Sequence, residues 1–251
     1  MTKIIMHGCN GRMGHVIADL AKEDPNAEIV AGVDSYGEST YSFPVFSSLK
    51  ECNVDADVVI DFSNASAVDA LLEICADRKL PCVLCTTGLS DAQLELVKKD
   101  AQKTAILKSA NMSMGINVLL KVLRDAAPIL SAAGFDMEIV EKHHNQKLDA
   151  PSGTALALAD DINEAAGGDF DYVYDRSTRR EKRPQKEIGI SSVRGGSIVG
   201  DHDVIFAGKD EVVTFSHTAY SRAIFGKGAL EAAKFLAGKG AGMYDMSDVI
   251  G

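Results

Sequence analysis

The stretch KIIMHGCNGRMG, residues 3–14, decides the fold of the first part of the chain. Residues 3–7 form a short apolar run that predicts a buried strand, and a helical pattern begins at Met13. The glycines between them are spaced G-x-x-G-x-x-G, which permits a tight turn and a close approach to a pyrophosphate. The helix N-terminus adds free N–H groups. The predicted dinucleotide-binding loop consists of Gly8, Cys9, Asn10, Gly11, Arg12 and Met13.

An acidic residue follows at the spacing expected for a ribose ligand. Asp34 ends the next apolar run, 20 residues after the last of these glycines. A carboxylate there accepts hydrogen bonds from adenosine ribose hydroxyls and repels a 2′-phosphate. Ser35, Tyr36 and Gly37 bring no compensating cation. We expect NADH to be preferred, with NADPH as an alternative cofactor. The competing interpretation is a structural turn with a solvated aspartate.

Strand and helix signals alternate as far as about residue 110. Apolar runs at 57–62, 81–85 and 105–108 are separated by helical patterns at 65–78 and 90–103. This alternation predicts an α/β domain with a doubly wound parallel sheet of Rossmann type. Such sheets bind ligands at the carboxyl ends of their strands. Further predicted cofactor contacts are Cys85, Thr86, Thr87, Ser109, Ala110, Asn111 and Met112.

The alternation breaks in the second part of the chain. Helical patterns at 115–130 and 153–166 are followed by closely spaced strand signals, which are typical of an α+β domain on a mixed or antiparallel sheet. A last helical pattern covers 223–237. The strands of this second domain are predicted at 136–141, 188–193, 203–206 and 211–216.

Charge and composition exclude several classes of protein. The 251 residues include 26 Lys and Arg against 36 Asp and Glu, a formal net charge of −10. Nucleic-acid binders and proteins of anionic membranes normally carry a basic excess. No apolar run approaches the ~20 residues of a membrane helix, and the first one is too short for a secretory signal. The five cysteines, an odd number confined to residues 9–85, do not suggest a disulfide framework. We expect a cytoplasmic protein without nucleic-acid or membrane partners.

The densest chemistry lies in EKHHNQKLDAPSGT, residues 141–154. His143, His144 and Lys147 offer proton donors and cations, which suits a reductase whose nicotinamide carries the hydride while the protein supplies a proton. Two alternatives stay open: a metal site, and histidines without a chemical role. Adjacent strand residues diverge and no third ligand stands at helical spacing, so we expect no metal.

The end of the same segment predicts an anion site. Ser152 is suited to cap a helix, which would turn the amides of Gly153 and Thr154 outward toward a carboxylate. A separate segment, residues 176–186, holds six cations and one acid. It is interpreted either as a solvated surface loop or as a device that steers a dianionic substrate.

Residues 141–154 resemble the signature of the 4-hydroxy-tetrahydrodipicolinate reductase family, also called dihydrodipicolinate reductase. The resemblance implies NAD(P)H-dependent reduction of a cyclic dicarboxylate, 4-hydroxy-tetrahydrodipicolinate, to tetrahydrodipicolinate with loss of water, in lysine and diaminopimelate biosynthesis. Two positions depart from the family pattern: Met112 replaces a frequent aromatic residue, and Ser35 replaces a frequent base. The other matching segments are residues 8–14, 109–117, 188–196, 200–202 and 242–249.

The resemblance also implies residue roles and organisation. His143 would be the general acid and Lys147 a second proton donor or electrostatic partner. His144, Lys147, Gly153 and Thr154 would hold the substrate carboxylates. A dinucleotide-binding domain would comprise 1–112 plus 223–251, and a substrate-binding and oligomerisation domain 113–222, with a homotetramer built through the second domain's sheet.

Two other functions stay open on the residues alone. One is an oxidoreductase that acts on another small imino or oxo dicarboxylate, because a fold does not fix a substrate. The other is a dinucleotide-binding sensor without turnover. His143 and Lys147 speak against a sensor, since dinucleotide binding requires neither.

Overall fold

The structure, a computed structural model, describes residues 1–36 and 41–251. Gly37, one of the residues used to predict the preferred cofactor, lies outside the described residues. The chain divides into two compact units, Met1–Met114 with Ala223–Gly251, and Gly115–Arg222. The assignment of nucleotide and substrate roles to these units stays a prediction.

The described residues form twelve strands and seven helices. The strands are β1 (Thr2–His7), β2 (Ala27–Val33), β3 (Val45–Phe46), β4 (Val58–Asp61), β5 (Cys82–Leu84), β6 (Ala105–Leu107), β7 (Asp136–His143), β8 (Asp171–Val173), β9 (Glu187–Arg194), β10 (Gly200–Ala207), β11 (Val212–Ala219) and β12 (Gly242–Tyr244). The helices are α1 (Arg12–Glu23), α2 (Ala65–Arg78), α3 (Asp91–Asp100), α4 (Met114–Ala132), α5 (Gly153–Ala165), α6 (Ala223–Leu236) and α7 (Met246–Ile250).

The first unit is built on a seven-stranded sheet in the order β12-β6-β5-β4-β1-β2-β3. All its neighbouring strands are parallel. Ile4 and Met6 of β1 enter a core with α1 and α6, whereas Ile5 enters a second core with α2 and α3 on the other face. This alternation gives the sheet two apolar faces. The predicted doubly wound, Rossmann-type sheet is confirmed.

The second unit contains a five-stranded sheet in the order β11-β10-β7-β9-β8. β7 pairs antiparallel with β10 and parallel with β9, so the predicted mixed sheet is confirmed. Its apolar core includes residues of α4 and α5. Along β7 the buried residues are Met137, Ile139, Glu141 and His143. The face that buries apolar side chains thus becomes polar at the carboxyl end of β7.

The five cysteines are free thiols, and four of them are buried. None of the helices in the described ranges is both long enough and apolar enough to cross a membrane.

Candidate functional site

The glycine loop after β1 is too tight for side chains at two of its positions. Gly8 has a φ of 80°, and a Cβ there would lie 2.6 Å from the carbonyl oxygen of Phe62. A Cβ on Gly14 would lie 2.2 Å from the carbonyl oxygen of Cys9. Gly11 is the N-cap of α1 and caps it without a side-chain hydrogen bond. The turn therefore presents backbone N–H groups at a helix N-terminus, as an anion site requires.

Asp34 is fastened to this loop. Its two carboxylate oxygens accept hydrogen bonds from the backbone N–H groups of Asn10 and Tyr36, each at 3.0 Å. The Asn10 side chain in turn donates to the Tyr36 carbonyl at 2.6 Å. A carboxylate has about four acceptor positions, so Asp34 is held in place and retains capacity for ribose hydroxyls.

A pocket of about 370 Å³ lies against this loop. Its lining includes Gly8, Gly11 and Asp34, together with Phe62 and Ser63 after β4. It sits where the strand order reverses between β1 and β4, the usual ligand site of such sheets. Cys9 is not among the residues that line this pocket. Its side chain is fully buried, and burial raises the pKa of its thiol to about 11.

The predicted contacts after β5 are only partly free for a ligand. Thr86 is buried and donates its hydroxyl to Asp61 Oδ2 at 2.6 Å. Asp61 is fully buried and also accepts from His7 Nδ1 at 2.6 Å and from the Ser63 N–H at 3.2 Å. This carboxylate ties together the ends of β1, β4 and β5. Thr87 is exposed, and Cys85 is half-buried, with burial raising the pKa of its thiol.

The contacts predicted after β6 have structural partners of their own. Ser109 Oγ accepts from the Met246 N–H at 2.7 Å, and Asn111 Oδ1 accepts from the Ser113 N–H at 2.8 Å. Met112 is buried, and Ala110 is exposed. Among the described residues, neither this segment nor 85–87 belongs to the lining of the 370 Å³ pocket. The geometry thus joins Gly8, Gly11 and Asp34 in that pocket but not the remaining candidates.

In the second unit, a buried carboxylate organises the end of β7. Glu141 is fully buried and accepts from His143 Nδ1 at 2.5 Å. Arg194 donates to both of its oxygens, at 2.8 and 2.7 Å. Burial alone would raise the pKa of Glu141, but hydrogen bonds from Arg194, Ser192 and His143 lower it to about 2. Glu141 is therefore a fixed anion at physiological pH.

The imidazole of His143 is oriented by that anion. Its Nδ1 faces Glu141, which leaves Nε2 as the nitrogen available to a substrate. A Cβ on Gly200 would lie 3.0 Å from Nε2, so glycine at that position leaves room beside the ring. Burial lowers the pKa of His143; Glu141 opposes this effect, whereas Lys147 and Arg194 reinforce it.

A second histidine lies beside the first. The rings of His143 and His202 meet edge to face at 5.2 Å. His202 Nε2 lies 3.1 Å from Ser152 Oγ, which also accepts from the Ala155 N–H and so caps α5 as predicted. Burial lowers the pKa of His202 to about 4, so the ring is neutral at pH 7. Its Nδ1 is buried and has no hydrogen-bond partner in the described ranges.

The predicted substrate ligands come together in the loop between β7 and α5. Lys147 Nζ forms an ion pair with Asp149 at 2.8 Å. The Asp149 carboxylate also interacts with the Gly153 N–H, and the Lys147 ammonium is the main cause that lowers the pKa of Asp149. Thr154 and His144 are half-buried. A carboxylate thus already lies between Lys147 and the N-terminus of α5, where a substrate carboxylate was expected.

Three of the four arginines of segment 176–186, Arg176, Arg179 and Arg183, form ion pairs with acidic residues of the sheet. Arg183 donates to Asp136 at 2.7 Å and to Glu138 at 3.0 Å, and Arg176 pairs with Glu138 and Glu187 at 3.0 Å. These acids lie at the amino ends of β7 and β9, whereas His143 ends β7. The interpretation as a solvated loop is wrong for these arginines, because their ion pairs attach the segment to the sheet.

Metal-ligand geometry is not found in the described part of the chain, which contains no cluster of three or more His, Cys, Asp or Glu side chains placed to hold a metal ion.

Several structurally central residues escaped the sequence-based prediction. His7 and Asp61 could have been found as polar residues at the ends of apolar runs, and Arg194 and His202 lie in the matched segments 188–196 and 200–202. The missed residues are His7, Asp61, Glu141, Arg194 and His202.

Comparison with known proteins finds matches for both units of the chain. Residues 2–112 match the family model for the dihydrodipicolinate reductase N-terminus, and residues 115–250 match the model for its C-terminus. A protein of Caldanaerobacter subterraneus subsp. tengcongensis named 4-hydroxy-tetrahydrodipicolinate reductase is 55% identical over 100% of this chain and 98% of its own. A Clostridium tetani protein of the same name is 50% identical over 98% and 96%.

A solved structure is similar along its whole length. Dihydrodipicolinate reductase from Paenisporosarcina sp. TG-14, determined with dipicolinate bound, has a TM-score of 0.79 and 26% identity, covering 100% of this chain and 99% of that one. The sequence resemblance seen in residues 141–154 thus extends to both units. This chain belongs to the dihydrodipicolinate reductase family.

Proposed function

We propose that the chain reduces 4-hydroxy-tetrahydrodipicolinate to tetrahydrodipicolinate in lysine and diaminopimelate biosynthesis. It is an NAD(P)H-dependent oxidoreductase. One hydride and one proton enter the substrate and one water leaves, so the protein has to supply a proton and hold two carboxylates. The observation that carries the proposal is the grouping of His143, Lys147 and the N-terminus of α5 at one end of the second unit's sheet.

The residues of the first unit fit a nicotinamide dinucleotide, which supplies the hydride when bound. The Gly8 turn and the N-terminus of α1 would hold its pyrophosphate, because they offer backbone N–H groups where no side chain fits. Asp34 would hold the adenosine ribose. The exposed Thr87 and Ala110 follow β5 and β6, at the sheet edge expected to face the nicotinamide half.

NADH is the proposed preferred cofactor. Asp34 is anchored through both carboxylate oxygens and cannot swing away from an incoming 2′-phosphate without breaking two hydrogen bonds. The expected result is a higher kcat/KM with NADH than with NADPH. An equal or higher value with NADPH would contradict this assignment. Asp34→Ala should narrow the difference, since it removes the repulsive charge.

The second unit's charges suit a dicarboxylate. Lys147 and the Gly153 N–H already hold the carboxylate of Asp149, so they can hold that of a substrate. His144 and Thr154 would complete the carboxylate contacts. The dipicolinate bound to the Paenisporosarcina protein is a ligand of this chemical class.

His143 is the proposed general acid, with Lys147 as a second proton donor or electrostatic partner. Because Nδ1 donates to Glu141, transfer from Nε2 requires the doubly protonated ring. Burial disfavours that form in the free protein. A substrate with two carboxylates brings the opposite charge, which favours protonation of the ring. Substrate binding would thus charge the acid that the reaction needs.

A coupled assay tests the function directly. The purified chain is supplied with the synthase that forms the unstable substrate, and NADH oxidation is followed. His143→Ala and Lys147→Ala should each lose most activity. Lys142→Ala is the control, since Lys142 pairs with Asp203 and its side chain projects from the sheet face opposite His143. Absence of NADH oxidation by the wild-type protein would refute the function, and full activity of the first two variants would refute the site.

We also propose a homotetramer assembled through the second unit's sheet. α4 and α5 cover one face of that sheet, while Val193 and Val212 on the other face are 45% and 62% exposed. Sedimentation analysis should give about four times the 26.7 kDa chain mass. A monomer at micromolar concentration would contradict the proposal.

A further inference from the structure

We propose that Glu141 is a positioning residue that fixes both parts of the reaction site, the imidazole of His143 and the N-terminus of α5. This inference rests on the proposed role of His143 as proton donor. It assigns a role to a residue that contacts neither substrate nor cofactor in the proposed reaction.

The carboxylate of Glu141 accepts hydrogen bonds from several parts of the second unit. It accepts from His143 Nδ1 at 2.5 Å, from both terminal nitrogens of Arg194, and from the Ser152 N–H at 3.1 Å. Ser192 adds a side-chain hydrogen bond. These partners come from β7, β9 and the residue that caps α5. A carboxylate that accepts hydrogen bonds from so many donors is held in one position, and it therefore fixes the positions of those donors as well.

The first consequence concerns the chemistry of His143. A carboxylate that accepts a hydrogen bond from Nδ1 keeps a proton on that nitrogen and orients the ring so that Nε2 points away from the carboxylate. It also stabilises the imidazolium. The charged and titratable groups that face the ring are Glu141 on β7, Arg194 on β9, His202 on β10 and Lys147 in the following loop. Glu141 is the one anion of this set.

The second consequence concerns the anion site. Glu141 Oε1 accepts from the Ser152 N–H, and Ser152 Oγ accepts from the Ala155 N–H in the first turn of α5. Arg194 also donates to the Asp149 carbonyl at 2.6 Å, which fastens the same loop to β9. The buried Glu141 carboxylate, together with its partner Arg194, therefore sets the separation between the proton donor and the carboxylate-binding amides.

A purely structural role does not explain this residue. Isolated burial of a carboxylate is costly, and well-packed apolar residues of similar volume often stabilise a core equally well. Met137 and Ile139 fill the same face of β7 four and two residues earlier. The sequence departs from that apolar pattern only where the strand reaches His143.

Two substitutions with opposite expected signs test the inference in the full-length protein. Glu141→Gln keeps the shape and removes the charge, so the pKa of His143 should fall. Arg194→Gln removes a cation that lowers this pKa, so the pKa of His143 should rise. NMR titration of the His143 ring, assigned by comparison with His143→Ala, measures both shifts without depending on turnover.

Activity supplies the second measurement. Glu141→Gln should lower kcat by about 10- to 100-fold, the usual effect of losing a group that orients a functional histidine. The alkaline limb of its kcat/KM profile should move to lower pH. Glu138→Gln is the matched control, because Glu138 lies on the same strand, pairs with Arg176 and Arg183, and lies at the other end from His143. It should leave the His143 titration and the pH profile unchanged.

The outcomes separate this inference from the proposed function. A His143 titration in Glu141→Gln that matches the wild type would overturn the positioning role, as would shifts of the same sign in Glu141→Gln and Arg194→Gln. If Glu141→Gln does not fold, Glu141→Asp decides, because it keeps the charge but shortens the side chain: wild-type kcat together with a wild-type His143 titration would overturn the positioning role. Full activity of His143→Ala would instead overturn the proton-donor assignment, while the titrations would still report whether Glu141 controls the ring.

Discussion

Replacement of Gly14 by alanine tests whether the loop after β1 holds a pyrophosphate. Gly14 lies in the first turn of α1, and an added Cβ would meet the carbonyl oxygens of Cys9 and Gly8 at 2.2 and 2.4 Å. Atoms in van der Waals contact lie roughly 3.4–4 Å apart. Both obstacles are backbone atoms, which cannot rotate away. Helix and loop therefore have to separate by about 1 Å or more.

The size of the effect follows from the hydrogen bonds that this separation breaks. Alanine normally stabilises a helix interior by ~1 kcal/mol relative to glycine, so without the clash the substitution would be favourable. A hydrogen bond to a charged phosphate contributes about 1.5–3 kcal/mol. Displacement of the loop should lose at least one, and a loss of about 2 kcal/mol raises Kd roughly 30-fold.

Calorimetric titration of the full-length protein with NADH measures this change. Gly226→Ala is the matched control, since Gly226 is also helical and in the same unit, but its added Cβ would meet side-chain atoms, Leu20 Cδ1 at 2.9 Å and Ile17 Cγ1 at 3.2 Å, and not backbone. NADH affinity of this control should stay within about threefold of wild type. Wild-type affinity of Gly14→Ala, or equal weakening in both variants, would refute the reasoning.

Four further predictions follow from the same contacts. Arg183→Met should lower Tm but leave kcat/KM and its salt dependence unchanged, because Arg183 attaches a segment at the end of β7 remote from His143. A changed salt dependence would instead support the interpretation that this segment steers the substrate. Asp61→Asn should weaken NADH binding several-fold in calorimetry, since Asp61 holds His7 and Thr86. Asp149→Asn should lower KM for the dicarboxylate at similar kcat, because Asp149 occupies its site; a raised KM would contradict this. The pKa of Glu141 is lowered from 4.5 to about 2, so its charge stabilises the fold above pH 4.5 and the contribution is lost as pH falls toward 2; urea unfolding of Glu141→Gln should be less pH-dependent there than that of the wild type.

Sequence reasoning predicted the longer elements because several turns of helix or an apolar run of four or more residues produce a clear period. It missed β3, β8, β12 and α7, which span two to five residues and show no period. Their position depends on pairing with strands distant in sequence, as when β12 adds to the edge of the sheet beside β6.

The candidate site divides in the same way. Local motifs were enough to predict the glycine loop, Asp34, His143 and Lys147 as candidate site residues. Arg194 lies in the matched segment 188–196, but its pairing with Glu141 could not be predicted, because it is 53 residues away and meets Glu141 only through the register of β7 with β9. Segment 176–186 shows the converse error. Its charge was visible, but the acids that pair with Arg176, Arg179 and Arg183 lie at the amino ends of β7 and β9.

In the proposed binding mode, the Asp149 carboxylate makes substrate binding an exchange of one ion-pair partner for another. Before the substrate arrives, Lys147 and the Gly153 N–H already hold a tethered counterion. An entering dicarboxylate therefore displaces one negative group with another, and only its second carboxylate adds net charge. Dissolved salt weakens both the resident and the incoming ion pair, so those two effects oppose each other. In this binding mode Asp149 would also discriminate among ligands, because a monocarboxylate only replaces the intramolecular ion pair, whereas a dicarboxylate brings a second carboxylate as well.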